Sequence, residues 1–176
     1  DLRIQEYNML RLSSQIAAED YIDIRFRMPS GEDYIVVSKK KVEIPQIDGV
    51  DSATTIWLQL TEDEILTMSN AIVENYMIEG SVLYTAKYVE PGTQEKATPT
   101  YVPSEAVQNL LRNNDSNILN TAKLALLTRY QGNSDVRNNI NNTKNSIDPD
   151  DVATNISTGV KQEVSTAQEQ RQDYLD

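Results

Sequence analysis

The sequence of 176 residues contains no cysteine and no histidine. Without cysteine the chain forms neither disulfides nor thiolate zinc sites, and without histidine no side chain titrates near neutrality at its ordinary pKa. Catalytic triads built on imidazole are therefore excluded. Any enzyme chemistry would have to use carboxylates, Lys, Tyr, Ser or a hard metal ion. No motif of that kind is present, so the sequence predicts a non-enzymatic protein without a cofactor.

Long apolar runs are also missing, because no stretch of 18 apolar residues occurs, and we predict no membrane span. Basic residues are scarce: 16 Lys and Arg stand against 27 Asp and Glu, for a net charge of −11. Nucleic-acid binding relies on Lys and Arg, so we predict no nucleic-acid partner. The one basic cluster is Lys39–Lys41. A solvated strand face or a protected sheet edge is the favoured interpretation, and a docking site the alternative.

The composition changes along the chain. Residues 1–103 contain 39 large apolar or aromatic residues, whereas residues 131–176 contain 9, together with 20 Asn, Gln, Ser or Thr. The first stretch can build a core, and the last cannot offset its ordering entropy alone. We therefore predict a β-rich docking domain over 1–89, an extended Pro-rich linker over 90–103, short helices over 104–132 and a polar helical stalk over 133–176.

The N-terminal region has the alternation of strands. Residues 21–28 place apolar residues on one face and charged residues on the other, and residues 54–60 turn Ile56, Leu58 and Leu60 inward. The period then changes, because Thr61 and Glu64 have the spacing of a capping box and helical spacing continues to Tyr76. These patterns predict an α+β fold: a sandwich-like β domain with one inserted helix, followed by C-terminal helices.

The C-terminal region predicts helices that gain their stability by association. Asp148 suits an N-cap and Pro149 the first helical position. From Val160 onward the apolar spacing is 4-3-4-3, the narrow seam of a coiled coil. We predict that one set of residues forms an interface between copies of the chain, most simply a trimer. The set comprises Val136, Ile140, Ile147, Val152, Ile156, Val160, Val164 and Ala167.

Two further groups have a structural and a functional interpretation. The acids Glu62–Glu64 and Asp148–Asp151 are adjacent residues that point in different directions, so helix capping is favoured over catalysis or metal binding. Nine tyrosines accompany one Phe and one Trp. A partner- or sugar-binding face would use Tyr84, Tyr88 and Trp57, whereas packing in the core or between subunits is the favoured interpretation.

The alternating strand that runs into Leu60-Thr61-Glu62-Asp63-Glu64, with a Tyr-containing strand soon after, resembles a pattern in bacteriophage structural proteins. It is similar to the N-terminal β-sandwich adaptor domains of baseplate, head-fibre and tail-fibre proteins, over about residues 20–90. The resemblance implies a domain that attaches the protein to the particle, followed by a helical or fibrous segment. It implies no catalytic residue. The helix after Thr61 is longer than the short connection usual in that family.

Together these features predict a structural component of a virion. The β domain would dock to other virion proteins, and the C-terminal helices would associate to start a stalk or fibre. The alternative is a carbohydrate- or receptor-binding module that uses the Tyr-rich sheet face. A virion component of this kind would be an obligate symmetric oligomer, whereas a sugar-binding module would fold and bind as a monomer.

Overall fold

The computed structural model describes residues 2–113 and 121–175, and its strands lie in the first half of the chain. The strands are β1 (Leu2–Tyr7), β2 (Tyr21–Arg27), β3 (Asp33–Lys41), β4 (Gln46–Ile47), β5 (Val50–Asp51), β6 (Ile56–Thr61) and β7 (Val82–Lys87). The helices are α1 (Glu62–Met77), α2 (Glu105–Asn113), α3 (Thr121–Gly132), α4 (Ser134–Asn145) and α5 (Pro149–Leu175). The predicted α+β class is confirmed.

The strands form three small antiparallel sheets. β1 pairs with β6, β2 lies between β3 and β7, and β4 pairs with β5. The backbone of Glu43, just after β3, exchanges two hydrogen bonds with Trp57 and so links the larger sheet to β6. The strands over 21–27 and 56–61 confirm the alternation. β1 was not predicted, because it turns its apolar side chains outward and its polar ones towards the chain.

Local signals placed the element boundaries well. The capping box is present: the Glu64 amide donates to Thr61 Oγ1 at 3.2 Å, and the Thr61 amide donates to Glu64 Oε1 at 3.0 Å. At the start of α5 the Asp150 amide donates to the Asp148 carboxylate at 2.8 Å. The predicted turn at Asp48 and Gly49 joins β4 to β5, with φ of 54° and 78° as a type I′ hairpin requires.

One core joins both larger sheets to helices from each half of the chain. Leu58 and Leu60 of β6 pack in the same cluster as Met68 of α1, Tyr101 and Ile140 of α4. Tyr101 is fully buried, and its amide donates to the Ile35 carbonyl at 3.0 Å. The segment over 90–103 lacks regular structure, as predicted, but its end is part of the core. The prediction that it separates two units is therefore wrong.

The position of α4 corrects a second expectation. Ile140 is 0% exposed, and Val136 and Ile147 pack against the same core. Ile140 is therefore covered by its own chain, and the prediction that it faces other subunits is wrong. α4 belongs to the folded domain and not to a projecting stalk. Only the final helix, α5, retains the predicted character of an assembly element.

A smaller apolar cluster seats α2 and α3 beside the main core. Its buried members are Val102, Leu111, Leu127 and Tyr130. Ser104 caps α2 as predicted, since its Oγ accepts from the Val107 amide at 3.4 Å. The helix start predicted at Asp115 or Ser116 lies outside the described residues. In residues 2–113 and 121–175, no helix is long and apolar enough to cross a membrane.

Candidate interaction surfaces

A buried ionic centre attaches α4 to the β domain. The Glu74 carboxylate of α1 is fully buried and accepts hydrogen bonds from the Tyr101 hydroxyl, from Arg137 and from Lys144. The Arg137 guanidinium approaches both carboxylate oxygens, with one N–H donating at 3.0 Å to Oε1, and it also donates to the Val102 carbonyl. Three separate parts of the chain therefore meet at one carboxylate.

The electrostatics of this centre favour the ionised carboxylate. Burial alone would raise the pKa of Glu74, but the hydrogen bonds and charge of Arg137, with those of Lys144 and Tyr101, hold the pKa below its ordinary value. Burial, together with the Glu74 charge, raises the pKa of the Tyr101 hydroxyl, which stays protonated and donates. Removal of one member of such a group leaves uncompensated buried charge. The centre therefore fixes the position of α4.

α5 contacts the domain through a smaller and more polar surface. The Tyr76 hydroxyl donates to Glu163 Oε2 at 2.7 Å, and the Asn8 side-chain amide donates to the Glu163 carbonyl at 3.0 Å. Burial and the bonded Glu163 carboxylate raise the pKa of Tyr76. A cleft of about 360 Å³ opens beside this contact, between α1, α5 and the segment after β1. α5 is therefore held by a few polar contacts and not by a dense apolar core.

Gly159 lets α5 approach α1 closely. A Cβ atom at this position would lie 2.4 Å from Tyr76 Cδ1 and 2.6 Å from Cγ, distances that real contacts do not reach. In the sequence, Gly159 is a weak point of a helix, since glycine costs about 1 kcal/mol relative to Ala there. In the fold it is the residue against which the Tyr76 ring packs. The glycine is a packing requirement between two helices.

The remaining side of α5 is partly uncovered. Val160 is 45% exposed and Val164 is 50% exposed, one turn apart on the same side of the helix. Val152, Ile156 and Ala167 are half-buried. The predicted interface residues thus divide into two groups. Val136, Ile140 and Ile147 pack within the chain, and the five α5 residues retain accessible surface.

The three predicted partner-binding aromatics are not brought together into one open face. Tyr88 is buried, and its hydroxyl donates to Asp23 Oδ1 at 2.6 Å, so the prediction that it binds a partner is wrong. Tyr84 is half-buried, its hydroxyl is bonded to Asp33, and the Arg27 guanidinium lies 5.3 Å from its ring centre. Only Trp57 keeps a substantial exposed surface.

Trp57 belongs to an apolar surface that the sequence did not reveal. Its neighbours on the outward side of the β1–β6 pair are Leu2, 54% exposed, and Ile4, 64% exposed. The indole N–H donates to Glu6 Oε1 at 3.0 Å across the two strands, which fixes the ring. Leu2, Ile4 and Trp57 are hereafter the outer apolar face. Its signal in the sequence was the alternation in residues 2–7.

The chemistry of these surfaces is that of contacts between macromolecules. Among the described residues, no group of three or more Asp and Glu side chains is placed to hold a metal ion. No family model matches the chain, and neither a curated protein nor a solved structure is significantly similar to it. The surfaces themselves must therefore support any functional interpretation.

Proposed function

We propose that the chain is a non-enzymatic structural subunit of a bacteriophage particle. It docks to other virion proteins through its β domain and associates with copies of itself, as a trimer, through α5. The association positions a fibre or appendage on the particle. The observation that carries the proposal is the pair of exposed valines on one side of a 27-residue helix, Val160 and Val164.

The geometry of α5 supports association between copies. A helix gains most of its stability from packing, and an apolar stripe two residues wide per heptad is sufficient for a coiled coil. Gly159 and Glu163 face α1, so the valines are presented on the other side while the helix remains attached. The assembly element is therefore held close to the β domain over its first half. A projecting stalk would begin beyond Glu163.

The alternative of a sugar- or receptor-binding Tyr face has less support. Tyr88 is buried, and Tyr84 uses its hydroxyl within the chain. A binding face needs accessible rings and free polar tips. We therefore retain the assembly function as the proposal.

Sedimentation tests the association directly. Wild-type protein should sediment as a trimer, and Val160→Asp should dissociate it, because the substitution places like charges at the same level of the seam. The matched control is Thr158→Asp, an exposed position off the seam, which should leave the trimer intact. Unchanged thermal unfolding of the domain would show that Val160→Asp acts on assembly. A monomeric wild type, or an unaltered oligomer in Val160→Asp, would contradict the proposal.

The particle assignment needs a separate measurement. Virions purified by density gradient from cells that produce the chain should contain it in a fixed ratio to the other structural proteins, as mass spectrometry would measure. Its absence from purified particles would remove the virion function and leave only self-association.

A further inference from the structure

The outer apolar face lies where the chain's own core cannot cover it. β1 is an edge strand that pairs with β6 alone, and its inward side carries Arg3 and Gln5 opposite Leu60 and Leu58. A half-buried strand ordinarily turns its apolar side chains towards the core. Here Leu2 and Ile4 point the other way. This arrangement is stable in water only at a cost, and it is typical of a surface that another molecule covers.

The outer apolar face forms the floor of a cleft with a basic side. The cleft has a volume of about 370 Å³, and Lys39–Lys41 and Glu43 line it beside Leu2, Ile4 and Trp57. Lys40 is neutralised by Glu64 of α1. Lys39 donates to the Gln94 carbonyl at 2.8 Å, which leaves its charge uncompensated. Lys41 lies 3.9 Å from Glu19, both side chains being exposed, so this ion pair is weak.

The charge of the cleft selects its occupant. The whole chain carries −11, so a basic partner would be attracted to most of its surface, whereas an acidic partner meets an attractive charge only beside Lys39 and Lys41. A second copy would bring another −11 towards the first. The positive side and the apolar floor together fit a segment with both carboxylates and apolar side chains.

We propose that this cleft binds an acidic, apolar segment of a partner protein, with its apolar side chains on Leu2, Ile4 and Trp57 and its carboxylates beside Lys39 and Lys41. The inference rests on the proposed docking role of the β domain and names the docking surface. Trp57 is the anchor, because its ring is already fixed by Glu6 and loses little freedom on binding.

The test uses the full chain and a displayed library of random twelve-residue peptides as the probe. Selected peptides should combine Asp or Glu with large apolar residues. Ile4→Lys should weaken their binding about tenfold or more, because a charge replaces the centre of the apolar floor. Lys41→Glu should weaken it about threefold, as expected for an exposed charge pair. The matched controls are Leu110→Lys, an exposed apolar residue of α2, and Lys96→Glu, an exposed lysine outside the cleft; both should bind as wild type.

Three outcomes would overturn the inference: selected peptides that are basic, binding that Ile4→Lys leaves unchanged, and a library that yields no peptide dependent on Ile4. A wild-type oligomer that Ile4→Lys dissociates would instead identify a second copy as the occupant. The α5 variants separate this result from the proposed association. If Val160→Asp keeps the oligomer while acidic peptides still bind, the seam on α5 is wrong and the cleft stands.

Discussion

α4 and α5 have similarly polar sequences, yet the fold places them in different environments. α4 buries Ile140 and Arg137, and its guanidinium completes an ionic centre with Glu74. α5 rests on α1 through the Tyr76–Glu163 hydrogen bond and the close approach at Gly159, and it leaves two valines partly exposed. Few apolar residues are sufficient for a helix that inserts them into an existing core. The same number leaves a helix dependent on a partner when they lie on its outer side.

The largest expected effect is at the ionic centre. Glu74→Gln leaves Arg137 and Lys144 without their carboxylate in a buried site, and we expect a loss of about 3–5 kcal/mol in the free energy of unfolding. Urea denaturation measures it. Glu163→Gln is the matched control on α5 and should cost no more than about 1 kcal/mol, because its carboxylate accepts one hydrogen bond at the domain surface. Equal losses would mean that α4 and α5 are attached equally.

The next effect tests whether α4 belongs to the core. Ile140→Ala should cost about 2–5 kcal/mol, since it removes a fully buried side chain. Val160→Ala should change the unfolding free energy of a monomeric preparation by less than about 0.5 kcal/mol. Thermal or urea unfolding at low protein concentration separates the two. A small loss for Ile140→Ala would return α4 to the stalk.

Gly159→Ala should have a smaller effect with a diagnostic sign. The added methyl group collides with the Tyr76 ring, and forced contacts of this kind cost about 1–3 kcal/mol. Helix propensity alone would give a gain of about 1 kcal/mol. Hydrogen exchange along α5 should therefore become faster in the variant.

The same substitution in a Tyr76→Ala background provides the control. There the collision is absent, so Gly159→Ala should stabilise α5 by its helix propensity. If Gly159→Ala stabilises both backgrounds, the close approach of the two helices is not present in solution.

The smallest effect is the pH dependence of the ionic centre. Because the pKa of Glu74 is held below its ordinary value in the fold, its contribution is fully present above the unfolded-state pKa, about 4.3, and is lost as the pH falls through the lower folded-state value. The unfolding free energy should therefore decrease below about pH 4.5. In Glu74→Gln this decrease should be shallower by one proton. Identical pH profiles would show that Glu74 is not paired in the folded protein.

Some features of this protein follow from neighbouring residues alone. Alternation at Ile22, Ile24 and Phe26, the capping box at Thr61 and the Asp148–Pro149 start each depend on contacts within a few residues. Such signals specify an element and its boundaries, because backbone dihedrals and caps are local. They were enough to predict the α+β class, six strand or turn positions before α1 notwithstanding the missed β1, and the beginning of each described helix to within about a turn.

The tertiary structure decided the partners of these elements. Glu74 and Arg137 are 63 positions apart, and neither has a local pattern that identifies the other. Gly159 reads as a weak point until the Tyr76 ring is placed against it. The polar sequence of α4 predicted a solvated stalk, because composition counts apolar residues without their location. One isoleucine and one arginine attach the helix when a core and a carboxylate await them, so the sequence determined which segments are helices and strands, and only long-range packing determined which of them belong to the core.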